Sequence, residues 1–282
     1  MGGAYWLASY PKSGNTWFRI FLQNLRDDPA APADINRLRI GTYPANRLWL
    51  DATLGFDSAD LTASEIANLR PAAHEWEASR HDDVQYWTIH DAYGLTPDGR
   101  PLIGGNGILG AVYILRNPLD VCLSYSNYTG LAVDAIIDLM TDPAKAISRD
   151  GDGLMLRVQQ SLLSWSAHVR SWTEAPGFNR LVIRYEDMVE TPTETFTAAA
   201  RFLDLPDDDA RVAKAIRFSS FKTLQDQEQQ SGYVGRLRGG GEAFFHRGRI
   251  GTWKGRLTDA HVRRLLDALG GTMARFGYRG DN

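Results

Sequence analysis

Short, nearly unbroken apolar runs at residues 5–9, 84–89, 110–115 and 180–184 read as buried strands, because a strand covered on both faces has no need to alternate polar and apolar positions. Elsewhere the apolar positions fall into helical spacing. Leu154, Val158, Leu162, Trp165, Val169 and Trp172 recur close to a 3.6-residue period, which predicts one long helix over residues 154–174 with a single buried stripe. Residues 193–203, 210–218 and 258–276 read as three further helices. Residues 27–83 are rich in Pro, Asp and Ala without regular periodicity, so loops and short helices are expected there. The run Arg236-Leu-Arg-Gly-Gly-Gly241 reads as a flexible, basic break. Strands alternating with helices predict an α/β fold, a single domain over residues 1–282 with a central, mostly parallel β-sheet flanked by helices.

The first strand leads directly into Tyr10-Pro-Lys-Ser-Gly-Asn-Thr-Trp17 and then into an amphipathic helix. This is how a phosphate cradle is built. Gly14 lets a ligand approach the backbone, the helix start presents free N–H groups and the positive end of its dipole, and Lys12, Ser13 and Thr16 add a charge and two hydroxyls. The loop is not the G-x-x-x-x-G-K-[ST] nucleotide pattern, since Lys12 and Ser13 precede the glycine. Taken alone, it could equally be an ordinary strand-to-helix turn.

Three more segments carry candidate chemistry. The strand at 110–115 ends in Arg116, turns at Asn117-Pro118 into a helix with proline near its first position, and carries Ser124 further along. A guanidinium at the carboxyl end of a sheet strand suits phosphate recognition, although pairing with Asp120 is an equally good use for it. Phe245-His-Arg-Gly-Arg-Ile-Gly-Thr-Trp-Lys254 is a basic, glycine-punctuated loop that could be merely a solvated charge cluster. His90 follows the strand at 84–89, where a histidine is more often structural than catalytic.

Composition narrows the partners. The chain has 282 residues, 43% of them hydrophobic, and a formal net charge of −3, so an anion site must be local and no general attraction to nucleic acid is expected. A single cysteine, Cys122, excludes an internal disulfide and a thiolate metal cluster, and no His and carboxylate spacing suggests another metal. Without a signal-like start or a run long enough to span a bilayer, the sequence predicts a soluble, cytoplasmic protein with no membrane insertion.

Together these segments resemble the sulfotransferases that use 3′-phosphoadenosine 5′-phosphosulfate (PAPS). Residues 10–17 look like that family's 5′-phosphosulfate loop, and Arg116-Asn-Pro-Leu-Asp-Val-Cys-Leu-Ser-Tyr125 looks like its 3′-phosphate motif. Ser164-Trp-Ser-Ala-His-Val-Arg-Ser-Trp172, Ile183-Arg-Tyr-Glu-Asp-Met188 and the 247–254 segment are similar to further family runs, in the same order. The resemblance implies a P-loop NTPase-like fold, PAPS as donor, adenosine 3′,5′-bisphosphate (PAP) as product, and no required metal. It also implies that Lys12, Ser13, Gly14, Asn15 and Thr16 hold the 5′ end, that Arg116, Ser124, Arg247 and Gly248 hold the 3′-phosphate, and that Trp17, Tyr185, Ser219 and Phe221 line the adenine pocket. Lys12, His90 and Ser124 form the implied catalytic set, with His90 as general base.

The chain departs from the family at Thr88, where Lys is usual, at His246, where Arg is common, at Thr252, which replaces an Asp, and at Asp259, which replaces an apolar residue of a dimer motif. Monomer and dimer therefore both stay open. The expected acceptor is a small molecule with a hydroxyl, such as a phenol, alcohol or natural product, with Trp49, Phe56, Trp76, Tyr93, Tyr128 and Tyr233 as candidate pocket walls. A P-loop kinase acting on a small molecule and a non-catalytic nucleotide-binding protein are the competing readings.

Overall fold

The computed structural model describes residues 2–148, 156–237, 239–241, 243–245 and 248–280. In chain order the elements are β1 (Gly3–Ser9), α1 (Asn15–Asp27), α2 (Arg47–Leu54), α3 (Ala63–Ser79), β2 (Val84–Ile89), β3 (Ile108–Leu115), α4 (Pro118–Thr129), α5 (Val133–Thr141), β4 (Ala146–Ile147), β5 (Gln160–Ser161), α6 (Trp165–Thr173), β6 (Arg180–Arg184), α7 (Tyr185–Glu190), α8 (Pro192–Phe202), α9 (Asp209–Phe218), α10 (Phe221–Ser231) and α11 (Asp259–Arg275). The chain divides into two compact units, Met1–Tyr10, Gly41–Tyr113 and Asp142–Val182 in the first, Pro11–Ile40, Ile114–Thr141 and Ile183–Asn282 in the second. The division falls within β3 and β6.

The main sheet has the strand order β2-β1-β3-β6, with β1 and β2 parallel in the register Gly3↔Val84 through Ala8↔Ile89. The expected α/β fold with its central parallel sheet and flanking helices is present. In the first unit Trp6, Leu7 and Ala8 of β1 are fully buried. The Trp6 indole donates to Ile103 O at 3.1 Å and meets His74 and Trp87 edge-on, so its one polar atom is satisfied inside an aromatic core.

Two expectations for this unit are corrected. Residues 156–174 are not one helix, and Leu154 and Met155 lie outside the described residues: β5 pairs with β4, Leu163 takes a left-handed φ of 59°, and Ser164 caps a short α6 by accepting from Ala167 N. The apolar stripe is nonetheless buried at Val158, Leu162, Trp165, Val169 and Trp172, so its period reflects burial and not helix. Residues 27–83, expected to hold loops and short helices, contain the 17-residue α3. Pro71 sits inside it and obscured the pattern, while a capping box between Thr62 and Glu65 marks its start.

In the second unit α1 lies against α9, where Arg211 donates to Leu25 O and Arg26 O, each at 2.7 Å. α4, α5 and α11 pack together, tied by Arg264 to Asp134 and Asp138. The glycines at 239–241 serve close approach and not only freedom: a Cβ at Gly240 would lie 2.4 Å from Tyr128 O, and Gly241 N donates to Asn127 O at 2.6 Å. That stretch is docked on the end of α4. No helix among the described residues is long and apolar enough to cross a membrane.

Candidate active site

The loop between β1 and α1 departs from regular structure on either side of Ser13. Lys12 has φ 70° and Gly14 has φ 106°, so the chain turns through two left-handed residues before α1 begins. Left-handed backbone at a bulky residue costs on the order of 1–3 kcal/mol and concentrates at functional sites. No side chain caps α1, whose N-cap residue is Gly14. Gly14 is needed for space as well as conformation, because a Cβ there would stand 2.6 Å from the Tyr185 ring. Gly14→Ala is therefore expected to lower stability by about 1–3 kcal/mol, read as a drop in the thermal midpoint of about 2–4 °C per kcal/mol. An unchanged midpoint would mean that the ring gives way freely.

Arg116 gathers this loop. Its Nη1 donates to Lys12 O at 3.1 Å, its Nη2 reaches Arg249 O at 3.5 Å, and its guanidinium lies 4.0 Å over the Tyr185 ring. The alternative pairing with Asp120 is not how that carboxylate is used, since Asp120 accepts instead from Gly251 N, Thr252 Oγ1 and Trp253 N. Next along the chain, Asn117 caps α4 through Leu119 N, while Asn117 N donates to Glu186 at 3.0 Å and the Tyr278 hydroxyl donates to the same carboxylate at 2.7 Å. Burial raises the Glu186 pKa, and these two donors oppose the rise.

Among the buried polar atoms without a partner are Ser13 Oγ and Arg116 Nε. Buried donors left unmatched cost about 1–3 kcal/mol each, so their presence beside an uncapped helix start fits an anionic ligand. The residues present thus suit a phosphate group. Lys12 completes the set: its Nζ lies 3.7 Å from the Phe244 ring centroid and 4.2 Å from that of Tyr128. These three residues, with Asn127, Arg236, Gly240, Gly241 and Ala243, line a small recess. Burial, with repulsion from Arg116, pulls the Lys12 pKa down to about 7, against a smaller opposing pull from Glu228.

An aromatic cluster lies in the same unit. The Trp17 indole donates to Ser219 O at 2.8 Å and meets Tyr185, Phe196 and Phe221 edge-on. Trp17 is thus half-buried within this cluster. The Ser219 hydroxyl donates to Ala215 O at 2.8 Å, so what this residue presents to Trp17 is its carbonyl. Gly248, with φ 60°, runs against Phe221 so closely that a Cβ would lie 2.1 Å from the ring. Ser124 is half-buried on α4, Asn15 is buried at the start of α1, and Thr16 hydrogen-bonds Tyr233. Arg247, like His246, lies outside the described residues.

His90 belongs to the first unit. Its Nδ1 lies 2.8 Å from Ser9 O, and since a carbonyl only accepts, Nδ1 carries the proton and the neutral ring keeps its lone pair on Nε2. The backbone around it is pinned. His168 Nε2–H donates to His90 O at 3.1 Å while Tyr113 donates to His168 Nδ1 at 2.9 Å, and the Trp172 indole donates to Asp91 O at 2.9 Å. Asp91 itself makes a buried two-point pair with Arg70. Burial pulls the His168 pKa down to about 3, so it is neutral and acts only as a brace. The sequence reading missed this brace, although His168 sits between Trp165 and Trp172 in a run that resembles the family.

Of the candidate acceptor walls, Trp49 packs on His74 and Trp87, Tyr93 on Trp172 and Phe178, and Tyr233 on Phe244 and Phe245, whereas Phe56 and Trp76 are exposed. Only Tyr128 of that group meets Lys12.

The sulfotransferase domain family matches this chain over residues 109–277. The amine sulfotransferase of Oryctolagus cuniculus is 27% identical over 264 residues, covering 91% of this chain and 76% of its own length. The crystal structure of mouse sulfotransferase SULT7A1 complexed with PAP superposes with a TM-score of 0.60 at 19% identity, over 96% of this chain and 84% of the mouse protein. Retinol dehydratase in complex with androsterone and inactive cofactor PAP gives a TM-score of 0.59 at 16% identity, over 98% and 82% of the two chains. The class these findings define is a transferase of α/β fold. The chain belongs to the sulfotransferase family.

Proposed function

We propose that this protein moves the sulfuryl group of PAPS to a hydroxyl of a small-molecule acceptor, with His90 as the base. The observation that carries the reading is the pair of unmatched buried donors, Ser13 Oγ and Arg116 Nε, beside the uncapped start of α1. Lys12, Ser13, Gly14, Asn15 and Thr16 hold the 5′ end of the donor, and Arg116, Ser124, Arg247 and Gly248 its 3′-phosphate. Trp17, Tyr185 and Phe221, with Ser219, offer the flat faces on which a purine stacks. PAPS supplies an activated sulfuryl group on a good leaving oxygen. A bond forms from acceptor oxygen to sulfur as the bridging S–O bond breaks, the hydroxyl proton passes to His90 Nε2, and PAP leaves with the bond's electron pair, met by Lys12. Side-chain and backbone donors provide the positive field for this step. Residues 1–282 are read as one catalytic domain, and a chain with a single cysteine suits the reducing cytoplasm.

Sulfur-labelled PAPS, offered with a panel of phenols and alcohols in the presence of EDTA, is expected to give labelled products. Transfer that instead needs ATP and Mg²⁺ would support the kinase reading, and PAP binding without transfer to any acceptor the non-catalytic one. Arg116→Ala removes a charged phosphate ligand and the tie to Lys12 O, and is expected to weaken PAP binding about 30- to 100-fold by calorimetry. Unchanged affinity in that variant would contradict the assignment.

A further inference from the structure

Asp120 lies in the first turn of α4, four residues after Arg116, and is 1% exposed. Its two oxygens are committed to one loop. Oδ2 accepts from Gly251 N at 2.7 Å, and Oδ1 accepts from Thr252 Oγ1 at 2.8 Å and from Trp253 N at 3.0 Å. The same short segment is held at its other end by Gly248 pressed on the Phe221 ring, and Arg116 Nη2 reaches the carbonyl of Arg249 between the two. One carboxylate on α4 therefore fixes the backbone of a loop more than 120 residues away in sequence.

We propose that Asp120 is a positioning residue for nucleotide binding. It sets affinity for the 3′-phosphate by holding residues 248–253 in place, without touching the ligand. Thr252, which stands where the family has Asp, supplies one of the three donors and so belongs to the same latch. The inference rests on the nucleotide reading above, in which this loop grips the 3′-phosphate.

The test compares PAP with adenosine 5′-phosphate, which shares the adenine and the 5′ end but lacks the 3′-phosphate, on the full chain by calorimetry. Asp120→Ala is expected to lower PAP affinity about tenfold or more, the scale of lost hydrogen bonds to a charged group, while 5′-phosphate binding changes by about twofold at most. Asp120→Asn, whose Oδ1 still accepts from Thr252 and Trp253, is expected to recover part of that loss. An equal fall for both ligands, or unchanged PAP affinity, would overturn the proposal, since damage to the fold at large gives the first and an idle contact the second. Should Asp120→Ala fail to fold, Thr252→Val is expected to cost about threefold for PAP alone, and no change in it would overturn the latch. If the native protein does not prefer PAP over the 5′-phosphate, the nucleotide reading falls together with this one. If it does prefer PAP and Asp120→Ala keeps the preference, only the role of Asp120 falls.

Discussion

Replacing His90 with alanine is expected to cut turnover by about 10²- to 10⁴-fold while PAP binds nearly as well as to the native protein. The size follows from what the residue is asked to do. An acceptor alcohol or phenol is a weak nucleophile until its proton has somewhere to go, and a base placed by the fold supplies that destination. The split between turnover and binding follows from role, because His90 is proposed to take the acceptor proton and not to hold the nucleotide. Its tautomer is fixed by the Nδ1 contact to Ser9 O, and its backbone by His168 and by the braces on Asp91. His168 is neutral above about pH 3, so its own titration adds nothing to the pH profile of turnover above that value. Near-normal turnover in that variant, measured under saturating PAPS, would remove His90 from the mechanism.

How much of this was legible in the sequence depends on how local each cause is. β2 and β6 begin and end where the sequence reading placed them, although both are edge strands and only Ile183 of β6 is buried. The phosphate loop was legible too, since Lys12, Ser13, Gly14 and the start of α1 are contiguous. The stripe from Val158 to Trp172 misled because burial recurred at helical spacing in a segment that is first extended, then sharply turned at Leu163, and helical only from Trp165. α3 stayed hidden because Pro71 reads as a breaker, yet its capping box was present in Thr62 and Glu65. Least legible were partnerships across long separations. Asp120 invited pairing with Arg116 four residues away, and nothing local in the sequence says that its partners are Gly251, Thr252 and Trp253. The aromatic surroundings of Lys12 were half visible: Tyr128 was a candidate wall, whereas Phe244 became one only through the clamp of Glu228 on the N–H groups of Phe244 and Phe245.

Lys12→Met is expected to lower turnover by about two orders of magnitude, the loss of roughly 3 kcal/mol that follows when one preorganised donor to a developing negative charge is removed. Its more telling effect is on pH dependence. In the free protein the Lys12 pKa stands at about 7 instead of 10.5, first because the ammonium is buried and second because Arg116 is near. A nucleotide anion placed beside it favours the charged form and drives the pKa back up. Binding above pH 7 must then take up a proton, so PAP affinity is expected to fall as pH rises from about 7 towards 9. The ligand cannot mimic this, because its phosphates lose their last protons near pH 6 and gain no charge in that window. Folding stability carries the opposite sign: below about pH 7 the buried ammonium is charged in both states and its cost is fully present. Between about 7 and 10.5 the unfolded chain holds a proton that the folded one has shed, so stability gains from Lys12 as pH rises. Calorimetry in buffers of different ionisation heats should show proton uptake at pH 8 for the native protein and none for Lys12→Met. A PAP affinity that stays level from pH 7 to 9 in the native protein would mean that Lys12 does not meet the nucleotide at all.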